Sequence, residues 1–426
     1  MSAIITSAFR LANAESFVEN LQANNFYLMI GRSYPWPNDN IAPVPVESQS
    51  SIPKYWKESI AARKIQASDV SLATRRYNWT SGVVYSRYDS TIDITSLQFY
   101  VVTSDYNIYK CINNAGGAAS TIMPTSTGNS IFQTGDGYLW KYLYSISPSE
   151  ALKFLTPDYI SVKTNSTVAA AAIEGGIHCV KITAGGVSYT AASIAMDGDG
   201  TGFVGTVTIN SGIVTGITVT NPGSGYTIAN AIITGDGTGA TASPIISPPG
   251  GHGFNAEEEL NSYFVAVGNE LAFNINADFP SENDYRRILI VKDPTIQGTS
   301  TIGSASTYNV STTYTIQHVS GSTTLATDEI LTGNTSGSVL RIVQVTDVSP
   351  SPLIKTVRTI QDLDSSVDTM GSSEAVTTGS GGVWQINSRI LPEINHNSGS
   401  IIFAEQRRPI MRADNQTENV KIILQF

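Results

Sequence analysis

Four histidines, two cysteines and a few clustered carboxylates are the groups of this 426-residue chain with the most scope for chemistry. His178, His252, His318 and His396 stand far apart, with no HExxH pair, so a zinc site would have to be assembled wholly at long range. Their spacing predicts solvated or hydrogen-bonded side chains. The run DGDGTG, Asp197 to Gly202, has paired carboxylates but neither the spacing nor the closing glutamate of a calcium loop. It reads as tight turns between strands. Glu257, Glu258 and Glu259 are adjacent, and adjacent carboxylates cannot flank a glycosidic bond as an acid and nucleophile must. They read as the solvated start of a helix. No GxSxG elbow and no phosphate-binding GxxxxGK[ST] loop occurs. The expectation is a protein with no catalytic residues, no cofactor and no metal.

The elements that would position such groups are β-rich. Only 14% of the residues are charged, against about 25% in an average soluble domain, so Ser, Thr, Asn and Gly must make the surface polar. A net charge of -10 without a basic run argues against neutralisation of phosphates, hence no nucleic-acid partner. Cys111 and Cys179 lie in no CxxC pair, which predicts no disulfide framework. The opening MSAIITSAFR lacks the pattern of a signal peptide, and no run of 18 apolar residues predicts a membrane span.

Four of the five tryptophans, Trp36, Trp56, Trp79 and Trp140, fall in the first 160 or so residues, where a core is expected. Two helices are predicted there. One runs from Asn13 to Gln22, capped by Asn13 with Phe17, Val18 and Leu21 on one face, and the other from Pro53 to Ile65. NFYLMI, LQFYVV, YNIYKCI and YLWKYLYSI read as strands, as do ELAFNI, YRRILIVKDP, TYTIQHV and GNTSGSVLRIVQV further on. The last seven residues alternate, with Val420, Ile422, Leu424 and Phe426 on one side, which predicts a sheet-completing terminal strand.

From about Ser166 to Pro249 the texture turns to Gly, Thr, Ala, Ile and Val and repeats itself. GVSYT at Gly186 recurs as GSGYT at Gly223, and GDGTG at Gly198 recurs at Gly235, both 37 residues on. Two copies at one period predict a small closed β-module. A second light stretch precedes the return of denser sequence. The predicted organisation is a layered β-sandwich framework with helix-bearing loops, in three parts (1–165, 250–296 and 390–426), interrupted by β-modules at 166–249 and 297–389.

Short constellations remain: GRSYPW at Gly31, RRYNW at Arg75, GDGYLWKYL at Gly135, and the closing SGSIIFAEQRRPIMRADNQTENVKIILQF from Ser398. In each, a Gly or Pro turn leaves Arg or aromatic side chains at a strand end, where such residues anchor protein contacts. Arg32, Tyr34, Trp36, Arg75, Arg76, Trp79, Arg407 and Arg408 are therefore the candidate interface residues. Taken in order, and together with NDYRRILIVKDP at Asn283, these stretches resemble the baseplate wedge subunit of T-even-type contractile-tailed phages, the gene product eight family. The resemblance covers Met1 to about Lys163, Asn283 to Pro294 and Ser398 to Phe426, and leaves both light stretches unaccounted for.

The resemblance implies a β-sandwich that dimerises, binds other wedge proteins, rearranges its contacts on sheath contraction and has no catalytic site. It places the chain in the virion tail baseplate after synthesis in the host cytoplasm. It does not extend to the inserts, whose Gly- and Thr-rich texture is that of decorative virion β-domains and leads to an expectation of outward contacts. The competing class is a receptor-binding or glycan-degrading tail protein whose repeat modules form the active surface. A fibre or spike of that class should show a long periodic shaft, whereas here two copies precede a return to the framework.

Overall fold

A computed structural model describes residues 4–272, 278–361 and 370–426. The fold is mainly β, as the composition implied. Its packing divides the chain into two compact units: Met1–Val18, Ser71–Val267 and Lys421–Phe426 in one, Glu19–Val70 and Gly268–Val420 in the other.

The first unit is built on an antiparallel sheet in the order Tyr100–Val102, Asn107–Asn114, Tyr138–Ser145, Phe132–Gln133. Both faces are covered. Tyr88, Phe99, Ile108, Ile112 and Leu143 pack in one layer, and Tyr85, Tyr109, Cys111, Tyr138 and Trp140 in the other. That two-sided burial is why YLWKYLYS reads as a continuous apolar run rather than an alternation. Of the LQFYVV stretch only Tyr100–Val102 is strand. A second sheet has the order Glu418–Gln425, Phe264–Leu271, Val70–Arg75, Tyr159–Ser161. The terminal strand is thus present. Val420 and Ile422 are buried, Leu424 and Phe426 half-buried, and Ile423 on the opposite face packs against Phe264 and Ala266. The Phe426 amide donates to the Tyr263 carbonyl at 3.1 Å and its ring lies 5.2 Å from that of Phe17.

The repeat forms six strands related in pairs by the 37-residue period. Ile177–Val187 pairs with Thr238–Ile246 as Thr201–Asn210 pairs with Ile213–Ser224, and Ala192–Gly198 pairs with Ala229–Gly235. Ala195 lies opposite its own counterpart Ile232, so a local pseudo-dyad passes between them. The irregularity at Val204/Gly205 recurs at Thr241/Ala242. The copies are cross-linked. Asp199 accepts from the amides of Thr227 and Ile228 at 2.9 and 3.0 Å, and Asp236 from those of Thr190 and Ala191 at 2.9 and 3.0 Å. The Tyr226 ring covers Gly200, where a Cβ would stand 2.4 Å from the ring, and Tyr189 covers Gly237 likewise at 2.5 Å. The DGDGTG carboxylate thus works as a turn cap, as expected. By hydrogen bonding the module is a four-stranded sheet and a two-stranded ribbon, and the two meet at both edges, Ile213–Ser224 beside Ile177–Val187 and Ala229–Gly235 beside Thr238–Ile246. Its base also sits deeper than the 166–249 boundaries suppose, because Cys179 and Ile245 join the Tyr88/Phe99 core and Val168 the Trp140 core.

The second unit contains an antiparallel sheet in the order Thr307–Asn309, Ser59–Lys64, Phe26–Gly31, Asp284–Lys292, Ser400–Met411. Tyr27, Met29, Trp56, Leu289 and Tyr308 pack over it. It also contains a closed six-stranded barrel running from Thr312 to Ile390, filled by Tyr314, Ile342, Val357 and Trp384. TYTIQHV and the second half of GNTSGSVLRIVQV lie in its strands. Phe273, Asn274 and Ile275 of ELAFNI lie outside the described residues.

Both predicted helices are corrected. The first spans Ser7–Ala23, begun by Thr6, whose hydroxyl accepts from the Phe9 amide at 3.3 Å, and Asn13 lies inside it. The second is only Ser51–Lys57, and Ser59–Lys64 is a strand paired with Phe26–Gly31. Ile60, Ala61 and Ala62 are all fully buried, so no helical face existed to be read. Pro148–Phe154 forms an unpredicted helix, opened by a capping box in which Ser147 and Glu150 exchange hydrogen bonds.

Candidate functional site

GRSYPW leaves the strand Phe26–Gly31 at Arg32, whose positive φ of 60° turns the chain sharply. Its guanidinium pairs with Glu58 at 2.6 Å and lies 3.8 Å above the Trp36 ring. Glu58 is fully buried and also pairs with Arg287, whose guanidinium covers Tyr55 at 4.3 Å. Burial pushes the Glu58 carboxyl up, while Arg287 and Arg32 pull it down. Arg286 forks onto Asp39 at 2.9 and 2.8 Å, gives a third hydrogen bond to the Ser33 carbonyl at 2.7 Å, and Asp39 in turn accepts from the Trp36 amide at 2.7 Å. Three arginines thus face three carboxylates, Glu58, Asp39 and Asp284, the last 3.1 Å from Arg286. Such a network can fix one loop geometry; it presents no nucleophile and no open cation site.

Five of the eight predicted interface residues gather in this region. Trp36 is 8% exposed and its indole N–H donates to the Arg407 carbonyl at 2.9 Å. Tyr34 lies beneath the Arg341 guanidinium at 5.1 Å. Arg408 is exposed and donates to the Asn40 carbonyl at 2.9 Å. The other three lie in the first unit. Arg75 is exposed near the Tyr159 and Phe264 rings, Arg76 donates to Asn78 and the Thr156 carbonyl, and the half-buried Trp79 donates to Ser120. Sequence reasoning missed Glu58, Arg286 and Arg287. Their signal was a charge inside an otherwise apolar strand or helix end.

Within GDGYLWKYL, Asp136 closes the hairpin. Its carboxylate accepts from the Thr121 and Ile122 amides at 2.8 and 3.0 Å and from the Thr134 hydroxyl at 2.5 Å. Burial would raise this carboxyl, but those donors and the Tyr138 amide bring it down to about 2. The glutamate run needs correction too. Ala256–Glu259 is a short helix capped by Asn255, yet of its three glutamates only Glu258 is exposed, and Glu259 is ion-paired with buried Lys110 at 2.6 Å.

Nor are the histidines all isolated. His178 and His252 come together with ring centroids 5.6 Å apart, while His318 packs on Trp384 and a ring nitrogen of His396 meets the Val310 carbonyl at 3.0 Å. Among the described residues no three His, Cys, Asp or Glu side chains group as metal ligands. Cys111 and Cys179 are free and buried, and burial pushes the Cys179 thiol up to about 11.

No curated protein matches the chain. A family model does, over residues 110–179: the family described as bacteriophage T4, Gp8. The matched stretch begins in the strand carrying Lys110, includes the Asp136 hairpin, its partner strand and the Ser147-capped helix, and stops just inside Ile177–Val187, where the repeat begins. Over this stretch the chain is similar to the phage Gp8 family.

Proposed function

We propose that the chain is a structural subunit of a phage tail baseplate wedge, acting as a homodimer that binds neighbouring wedge proteins and exchanges contacts when the sheath contracts. The observation that carries this reading is the Gp8 match on the doubly covered sheet of the first unit. The family's role is structural, which supports a part in assembly rather than catalysis. Of the candidate interface residues, exposed Arg75 and Arg408 are best placed to meet a partner. Trp36 and Arg32 work chiefly by fixing the loop whose Asn40 carbonyl receives Arg408. The product is made in the host cytoplasm and ends in the virion baseplate.

The test is assembly. Phage lacking this gene should yield no complete tails, purified protein added to such an extract should restore them, and the purified chain should sediment at twice its 45.4 kDa mass. Complete tails without the chain would overturn the structural reading, and a monomer that still restores assembly would overturn the dimer.

A further inference from the structure

Two lysines sit where the sheet of the first unit is otherwise aromatic and aliphatic. Lys110 and Lys141 stand directly opposite each other on paired strands and are 0% and 3% exposed. Like charges in that position repel, and a buried charge needs a partner. Lys110 has one in Glu259, and lies 3.9 Å above the Tyr88 ring. The second oxygen of Glu259 accepts from the Gly253 amide at 2.7 Å. Lys141 donates a hydrogen bond to the Asn129 carbonyl at 2.5 Å and, among the described residues, forms no ion pair of its own, the attraction of Glu259 being shared with Lys110. Its stem is held in place: a Cβ on Gly253 would stand 2.9 Å from Cε.

Lys141 forms part of the wall of a cavity of about 330 Å³, with Asn129, Ser130, Thr220, His178 and His252 around it. His252 is 3% exposed and its Nδ1 has no hydrogen-bond partner. Burial, and after it the neighbouring lysine charge, holds His178 down at about 4 and His252 well below its ordinary value. Both rings are therefore neutral near pH 7, each with one donor and one acceptor nitrogen. The space is at the small end of ligand cavities.

We propose that this cavity binds a small oxyanion, a carboxylate, sulfate or phosphate group on a molecule no larger than a monosaccharide. The acid group meets the Lys141 ammonium, and the imidazoles of His178 and His252 hydrogen-bond its remaining polar atoms. This gives Lys141 a counter-charge of its own, since the nearby Glu259 is already paired with Lys110, and it is independent of the baseplate reading because it is measured on the isolated chain.

Calorimetric titration and thermal melts of the full chain at constant ionic strength, with chloride replaced by acetate, glucuronate, sulfate or phosphate, test it. Saturable binding at one site per chain is expected for at least one of the four, with melting temperature rising with its logarithmic concentration. Acetate and glucuronate against sulfate and phosphate separate a planar from a tetrahedral ligand. Lys141→Met should weaken binding at least tenfold. Should that variant fail to fold, His178→Gln, on the half-buried wall, should weaken it several-fold with the circular dichroism unchanged. No saturable binding by any of the four, or unchanged binding in whichever variant folds, overturns the proposal.

Discussion

Glu58 is the residue on which the arginine network closes, since Arg32 and Arg287 both lean on its buried carboxylate. Glu58→Gln leaves two guanidiniums facing a neutral amide, and breaking a buried pair of this kind costs about 3 to 5 kcal/mol. Denaturant unfolding should show that loss, and Trp36→Ala one of similar size, whereas Arg408→Ala should leave the midpoint unchanged. GRSYPW was legible as unusual, but its partners lie 26 and 255 positions from Arg32, at Glu58 and Arg287. Sequence therefore showed the arginine and the tryptophan at a strand end without showing that they face inward. The histidines give a second expectation. His178 and His252 stay neutral in the fold while the unfolded chain takes up protons below about pH 6.5. The unfolded state binds more protons there, so stability should fall as pH drops from 6.5 towards 4, by on the order of a few kcal/mol. His178→Gln should flatten part of that slope in melts recorded across the range, and an unaltered slope would assign it to other groups.

At the scale of elements, strands were legible wherever burial alternated or ran unbroken, and the second predicted helix was misjudged where burial was all-round. Ser59–Lys64 shows the limit, because a fully buried segment carries no period to separate helix from strand. The capping box at Ser147 was readable and went unread. The terminal strand was read correctly in kind and too simply in detail, with Ile423 as well as Ile422 packed. Deleting Val420–Phe426 removes two fully buried side chains, worth about 3 to 6 kcal/mol together, as well as the half-buried Leu424 and Phe426. Truncation after Asn419 should give insoluble protein, and a soluble product with a cooperative melt would show the strand to be dispensable.

For the whole molecule, composition and repeat period were enough to give a β-rich chain with two lighter stretches, but not to say which would close into a continuously hydrogen-bonded barrel. A barrel arises in the stretch without a visible repeat. The depth of each joint was equally hidden, because contacts such as Cys179 with the Tyr88 core are set by tertiary packing. Replacing 181–243 with a short glycine linker between Val180 and Pro244, which already face each other, should leave a folded first unit. Removing 166–249 should abolish the cooperative melt, since Val168, Cys179 and Ile245 go with it. Equal melts for the two deletions would place all of the module outside the core.

The pseudo-dyad between Ala195 and Ile232 carries a consequence for each half of the module on its own. Each copy supplies the aspartate that caps the other's turn and the glycine that receives the other's tyrosine, so half of the module is an incomplete object with a self-complementary edge. A single copy expressed alone has one economical way to satisfy those groups, which is to find a second molecule and build the same six strands in trans. The tandem in this chain then has the architecture of a fused dimer, its two halves tied by the hairpin between Asn210 and Ile213 so that their pairing does not depend on concentration.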